Sequence, residues 1–186
     1  MTIDTQRLTI RGFASYDWRD LQQMIIQKEA SEYAVYDHQW PVSDEEIKRI
    51  VGWFVDNPNY FAVCTKEPKL IGYILLNNTE HKNEFDMGYC FNEDYMGKGF
   101  ATEACTALLT YAFDKLKVKK VICNTAQKNE PSCRLLARLG MTRVADLPDS
   151  TLRNDEKGNP ITFLGVQYTM SNTEWSELTK AQLSDR

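Results

Sequence analysis

At 186 residues, 42% of them hydrophobic and 11% aromatic, the chain has the length and composition of one globular domain with its own core. A net charge of -4 excludes general nucleic-acid binding, which needs a basic surface to neutralise phosphates, so any anion site must be local. Two histidines and five scattered cysteines are too few ligands for a metal site and read as reduced thiols; no apolar signal core or membrane span occurs, so the chain is expected in the cytoplasm, away from membranes.

In chain order, Leu8, Ile10 and Arg11 form a short alternating first strand, and Ser15 offers an N-cap for a helix carrying Leu21, Met24 and Ile25. An aromatic, irregular stretch follows over 33–41. Ser43-x-x-Glu46 then makes a capping box for a second helix with Ile47, Ile50, Val51 and Phe54 on one face. The β-rich runs 60–65, 70–76 and 85–91, separated by polar turns, predict an antiparallel meander.

Next comes Met96-Gly97-Lys98-Gly99-Phe100-Ala101-Thr102, between that last strand and an amphipathic helix over 102–116 with Ala104, Cys105, Leu108, Leu109, Ala112 and Leu116 on its apolar face. Two glycines at a strand-to-helix turn can cradle an anion, because backbone amides approach it closely at the positive end of a helix. A dinucleotide fingerprint needs a third glycine where Thr102 stands, and no Gly-Lys-Ser/Thr tail completes a P-loop, so neither ligand class is supported. A strand over 119–125 closes a βαβ unit, and the sheet must turn parallel there.

Asn129, Ser132 and Pro131 open a helix with Leu135, Leu136 and Leu139 on its apolar face and Gly140 as its stop. Two strands, 141–152 and 161–170, flank a polar hairpin, and the polar tail 171–186, with Trp175, Leu178 and Leu183, adds a final helix. Lys115, Lys117, Lys119 and Lys120 read as a solvated helix end. No repeat or linker divides residues 1–186, which read as a single domain.

In this order the motifs resemble the GNAT N-acetyltransferase superfamily. The turn from Met96 to Ala101 matches its Gln/Arg-x-x-Gly-x-Gly/Ala pyrophosphate loop, with Met96 in the polar first place. Thr5-x-Arg7-Leu8, Leu70-Ile71-Gly72-Tyr73, Asp86-Met87-Gly88-Tyr89, Ala101-Thr102-Glu103-Ala104 and Asn129 through Met141 are similar to the Rim-type branch, named for enzymes that acetylate ribosomal-protein N-termini. The resemblance implies an α/β fold with a central mixed sheet of about seven strands, antiparallel in its first half, a parallel pair at a splayed centre, and about four flanking helices.

The resemblance further implies acetyl-coenzyme A as co-substrate and no metal. The backbone of Tyr89, Cys90 and Phe91 would pair with the pantetheine arm, Met96, Gly97, Lys98, Gly99, Phe100, Ala101 and Thr102 would receive the pyrophosphate, and Asn129 and Ser132 would line the other side of the arm. Lys98 and Lys128 are candidates to approach the coenzyme A phosphates, or else ordinary exposed loop lysines. Glu103 reads as a dipole partner or loop brace.

For the chemistry, Asp86 is the preferred base, with Glu84 on the same strand face as fallback; many relatives carry glutamate at Asp86. Leu136 stands where many relatives carry a tyrosine that protonates the departing thiolate; the resemblance to the Rim-type branch implies Ser132 as the catalytic donor, the alternative being a serine that bonds backbone at the helix start. Tyr33, Tyr36, Asp37, His38 and Trp40 are expected to wall the pocket of an amine acceptor, with Asp37 and Asp155 attracting its charge. Three readings remain open: acetyl transfer to a protein N-terminus or small-molecule amine, a polyamine- or antibiotic-type acceptor, and a non-catalytic coenzyme-A-binding module. The assembly is expected to be a monomer or homodimer.

Overall fold

A computed structural model of the chain describes residues 1–184; residues 185 and 186, and the Leu183 side chain of the expected tail helix, lie outside the described residues. Eight strands form one sheet: β1 Thr2–Asp4, β2 Leu8–Gly12, β3 Tyr60–Thr65, β4 Leu70–Asn78, β5 Glu84–Phe91, β6 Lys120–Ala126, β7 Thr142–Asn154 and β8 Pro160–Ser171. Their spatial order is β1-β2-β3-β4-β5-β6-β8-β7, antiparallel throughout except between β5 and β6. The strand absent from the sequence reading is β1, too short for its alternation to register.

Five helices cover the sheet: α1 Trp18–Ala30, α2 Asp44–Asp56, α3 Phe100–Thr110, α4 Glu130–Arg138 and α5 Asn172–Ser184. α2 starts as its capping box predicts, with Ser43 Oγ accepting from the Glu46 amide and donating to Glu46 Oε2. Ser15, by contrast, does not cap α1. Asp17 stands at that position without a side-chain cap bond: its carboxylate instead accepts from the Ala14 amide at 2.8 Å and pairs with both terminal nitrogens of Arg11, and Ser15 opens only a 3₁₀ turn. α3 ends in a widened turn, Tyr111–Lys115, before Lys117 reverses the chain at φ 56°.

The two sheet faces bury separate cores. Leu21, Met24 and Ile25 of α1 and Ile47, Val51 and Phe54 of α2 pack with Ala62, Leu70 and Tyr73 on one face. On the other, α3 and α4 place Ala104, Leu108, Leu135 and Leu136 against Ile74, Met87, Val121 and Val166, with Trp175 of α5 stacked on Phe113. Burying each of these large side chains stabilises the fold by about 1.5–3 kcal/mol. The strands between these cores carry the site. Among the described residues no helix is long and apolar enough to cross a membrane.

Candidate active site

β5 and β6 pair only where Glu84, Phe85 and Asp86 lie beside Lys120, Val121 and Ile122. Beyond Asp86, β5 continues along β4 to Phe91, while β6 pairs with β8 alone, so the sheet splits at its centre. The Asn92 amide donates to the Ile71 carbonyl at 2.9 Å. By the two-residue alternation of an antiparallel ladder, the peptide groups of Cys90 and Gly88 therefore face β4, and those of Tyr89 and Phe91 face the split. An extended ligand can add itself to that edge as a strand. Gly72 of β4 makes room for this geometry: a Cβ there would meet the Phe91 ring at 2.4 Å and the Cys90 carbonyl at 2.8 Å.

The split opens onto the glycine turn. Gly97 and Gly99 sit at φ 72° and 80°, a left-handed conformation that other residues rarely adopt, and Gly99 is the N-cap of α3 with no side-chain cap bond. The first bond of the helix runs from the Glu103 amide to Gly99, so the amides of Phe100, Ala101 and Thr102 point outward without an intrahelical acceptor. Met96 is half exposed, and its own amide already donates to the Glu93 carbonyl. Lys98 folds back, its Nζ bonding the Asp94 carbonyl.

Beneath the turn, Arg7 donates to the Lys98 carbonyl at 2.9 Å and to Glu103 at 2.6 Å, and its guanidinium lies over the Phe100 ring. Glu103 also accepts from Thr5 Oγ1 and from the Arg7 amide. It is thus the loop brace of the two roles expected. Arg138 of α4 reaches across to Thr102 Oγ1 at 3.2 Å, which adds a cation beside the helix N-terminus. The chain order gave no signal for Arg138, because a basic residue in a last helical turn reads as a dipole partner.

At the apex of the split, register places Glu84 and Asp86 on the α1–α2 face with Lys120, Ile122, Asn124 and Gln167. Burial, and then the nearby Glu84 charge, push the Asp86 carboxyl up to about 6. Among the described residues no side chain bonds it. Glu84 is different. Lys120 pairs with it at 2.6 Å and Thr79 donates to it, which holds its carboxyl below the usual range and fixes it as an ion-pair partner. Strand alternation put the two carboxylates on one face; their neighbours set them apart.

On the opposite face, Tyr89 extends to α4, where its hydroxyl lies 2.7 Å from Ser132 Oγ. Burial keeps the phenol well above its ordinary pKa and hence protonated. Asn129 caps α4, its Oδ1 accepting from the Ser132 amide, so this side chain serves the helix. Leu136, one turn on, is fully buried. The Cys90 side chain lies on the α1–α2 face, packed against that core, and burial pushes its thiol up to about 12.

The aromatic stretch closes over the same face as Asp86. Tyr36 meets Phe163 of β8 edge-on with centroids 5.3 Å apart, and Trp40 packs against Phe54 and Tyr73. Asp37 pairs with Lys28 at 2.7 Å, Tyr33 is half-buried and His38 is exposed. Arg153 of β7 ties this stretch down: it bonds both Glu29 oxygens and the carbonyls of Asp37 and His38. Nothing in the sequence singled out Arg153 in its hairpin. Asp155 stands apart from the group, since its carboxylate accepts the Lys157 and Asn159 amides and shapes the hairpin turn.

Comparison with known proteins finds a match to the family described as an acetyltransferase (GNAT) domain over residues 7–142. The chain is 30% identical to an uncharacterized N-acetyltransferase of Bacillus subtilis (strain 168), YnaD, over 77% of its own length and 84% of that protein's. It is 27% identical, over 91% of its length and 94% of the other's, to YdaF of the same organism, provisionally named a ribosomal N-acetyltransferase. Among solved structures, the GNAT-family acetyltransferase from Bacillus anthracis superposes with TM-score 0.80 at 26% identity, covering 93% of this chain and 99% of that one.

Proposed function

The chain belongs to the GNAT acetyltransferase family, and on that premise we propose that it transfers an acetyl group from acetyl-coenzyme A directly to a primary amine, within a complex of both substrates. The observation that carries this reading is the continuous path from the uncapped α3 N-terminus, along the free edge of Tyr89 and Phe91, to Asp86 at the apex. Bound acetyl-coenzyme A supplies the activated thioester. The amides of Phe100, Ala101 and Thr102, with Arg138 beside them, suit its pyrophosphate, and the Tyr89 and Phe91 peptide groups suit its arm.

Asp86, raised to about 6, is a carboxylate at neutral pH with more basicity than an ordinary aspartate, and takes the proton of the attacking amine directly or through one water. Direct transfer agrees with Cys90 of β5 being packed against the α1–α2 core and held as a thiol. A protein α-amino group is the favoured acceptor. Its pKa of about 7.7–8.0, against about 10.4 for lysine, asks little of such a base, and the name of YdaF points the same way.

A small cationic amine is the second reading, favoured by a cavity of about 420 Å³ on the Asp86 face lined by Glu80, His81, Glu84, Lys120 and Gln167 among others. Thiol release from acetyl-coenzyme A, measured over a panel of short peptides with free N-termini, polyamines and aminoglycosides, tests both. Turnover greatest with the peptides is expected. Turnover confined to polyamines or aminoglycosides would replace the first reading with the second, and tight cofactor binding without release by any amine would overturn both.

A further inference from the structure

We infer that Tyr89 is a positioning residue for the thiol end of the reaction: its hydroxyl, reaching across from β5, directs the Ser132 hydroxyl proton into the split. The inference rests on the acetyl-transfer reading above. Ser132 is the hydroxyl that α4 contributes, and Leu136 one turn later offers only buried hydrocarbon. Tyr89 Oη has two oxygens of Ser132 within reach, Oγ at 2.7 Å and the carbonyl at 3.5 Å, and the Cys123 thiol of β6 as a further neighbour whose sulfur is the weaker acceptor. The shorter contact is a strong hydrogen bond and the longer one is at the outer limit.

A phenol is the better donor of the two hydroxyls and an aliphatic hydroxyl the better acceptor, so the phenolic proton takes the short contact. The Ser132 proton must then point elsewhere. Asn129 engages the backbone amide of Ser132 and offers its hydroxyl no further partner, and half-buried Ser132 faces the gap between β5 and α4. The titratable groups whose fields reach the phenol are the thiols of Cys105 on α3, Cys123 on β6 and Cys133 on α4, none of them a carboxylate that would draw its proton away.

When the amine nitrogen bonds to the acetyl carbon, the carbon–sulfur bond breaks and its electron pair goes to sulfur. Asp86 receives the proton lost by nitrogen and returns it to solvent. The Ser132 hydroxyl donates a hydrogen bond to the departing sulfur, strengthened by the one it accepts from Tyr89, and the proton that completes the thiol comes from solvent. Tyr89 stays protonated throughout.

The test pairs a binding measurement with kinetics on the full chain. The thiol pKa of bound coenzyme A, read from the thiolate absorbance of the complex less that of the free protein, should lie below that of free coenzyme A in the wild type. In Tyr89→Phe it should return at least halfway to the free value, with cofactor affinity within about twofold. Turnover should fall about tenfold in Tyr89→Phe and in Ser132→Ala, and the double variant should be no slower than Ser132→Ala, because Tyr89 acts through Ser132. An unshifted thiol in the wild type, an unchanged thiol in Tyr89→Phe, or losses that multiply in the double variant would overturn the inference alone. No binding of coenzyme A at all would overturn the acetyl-transfer reading as well.

Discussion

Arg7 and Glu103, 96 residues apart in the chain, meet at 2.6 Å beneath the glycine turn. The pair gains its importance from what else each atom does. Glu103 accepts from Thr5 and the Arg7 amide, while Arg7 also holds the Lys98 carbonyl, so the turn between β1 and β2 fixes the position of the α3 N-terminus.

Replacing Glu103 with alanine removes the acceptor of these bonds, each worth about 1–3 kcal/mol where charge assists. Partial exposure of Arg7 reduces its share. Glu103→Ala should lower the affinity for acetyl-coenzyme A about tenfold, with a measurable fall in melting temperature, because the amides of Phe100 to Thr102 lose their fixed direction. Titration calorimetry decides the matter; unchanged affinity would show that the turn holds its shape without the brace.

Arg138→Gln separates charge from scaffold. Arg138 is exposed and, among the described residues, bonds only Thr102, so its loss should leave stability within about 0.5 kcal/mol. Affinity for coenzyme A should fall about fivefold, and that for dephosphorylated pantetheine should not change. Equal losses for both ligands would remove Arg138 from phosphate recognition.

Asp86 predicts a pH profile. Its carboxyl titrates near 6, and the basic form is the deprotonated one, so kcat/KM at a fixed fraction of neutral amine should rise with pH through about 6 and then level. Asp86→Asn should abolish that rise and slow turnover about 10²–10⁴-fold with little change in cofactor affinity. Linkage runs the other way for stability: a carboxyl raised on folding binds its proton more tightly in the native state, so the wild type should lose stability relative to Asp86→Asn as pH climbs from about 4 to 6. Denaturant titrations at several pH values measure this.

Arg153 holds the stretch expected to wall the acceptor pocket. It and Glu29 are largely buried, and breaking such a pair costs about 3–5 kcal/mol. Arg153→Ala should therefore loosen the stretch from Tyr33 to Trp40, raising KM for the amine about tenfold while acetyl-coenzyme A binds as before. Arg153→Lys, lacking the planar fork that spans Glu29 and two carbonyls, should recover only part of the loss. Unaltered amine KM in both variants would detach this clamp from acceptor binding.

Much of this architecture is legible in the sequence because its causes are local. Ser43 with Glu46 and Gly140 after Leu139 act through neighbours a few residues away, and the alternation over β3 to β5 needs only a buried face. Ser15 does not cap α1, because a 3₁₀ turn over Ser15–Asp17 intervenes and Asp17 there pairs with Arg11 of the preceding strand, a contact from outside the local sequence. Alternation put Glu84 and Asp86 on one strand face, and only the structure shows that Lys120, from the far side of the α3 crossover, pairs with Glu84.

By itself the sequence determined the order of elements, the left-handed glycine turn at a helix start and, through their combination, the acetyltransferase family, since backbone geometry and periodicity are written in consecutive residues. Tertiary structure alone decided the chemistry around the split. Tyr89 meets Ser132 across 43 residues and Arg153 meets the Asp37 carbonyl across 116, and the Asp86 carboxyl is raised by burial. Hydrogen-bond reach and desolvation depend on distance in space, which strand order and helix crossover set and which sequence separation does not reveal.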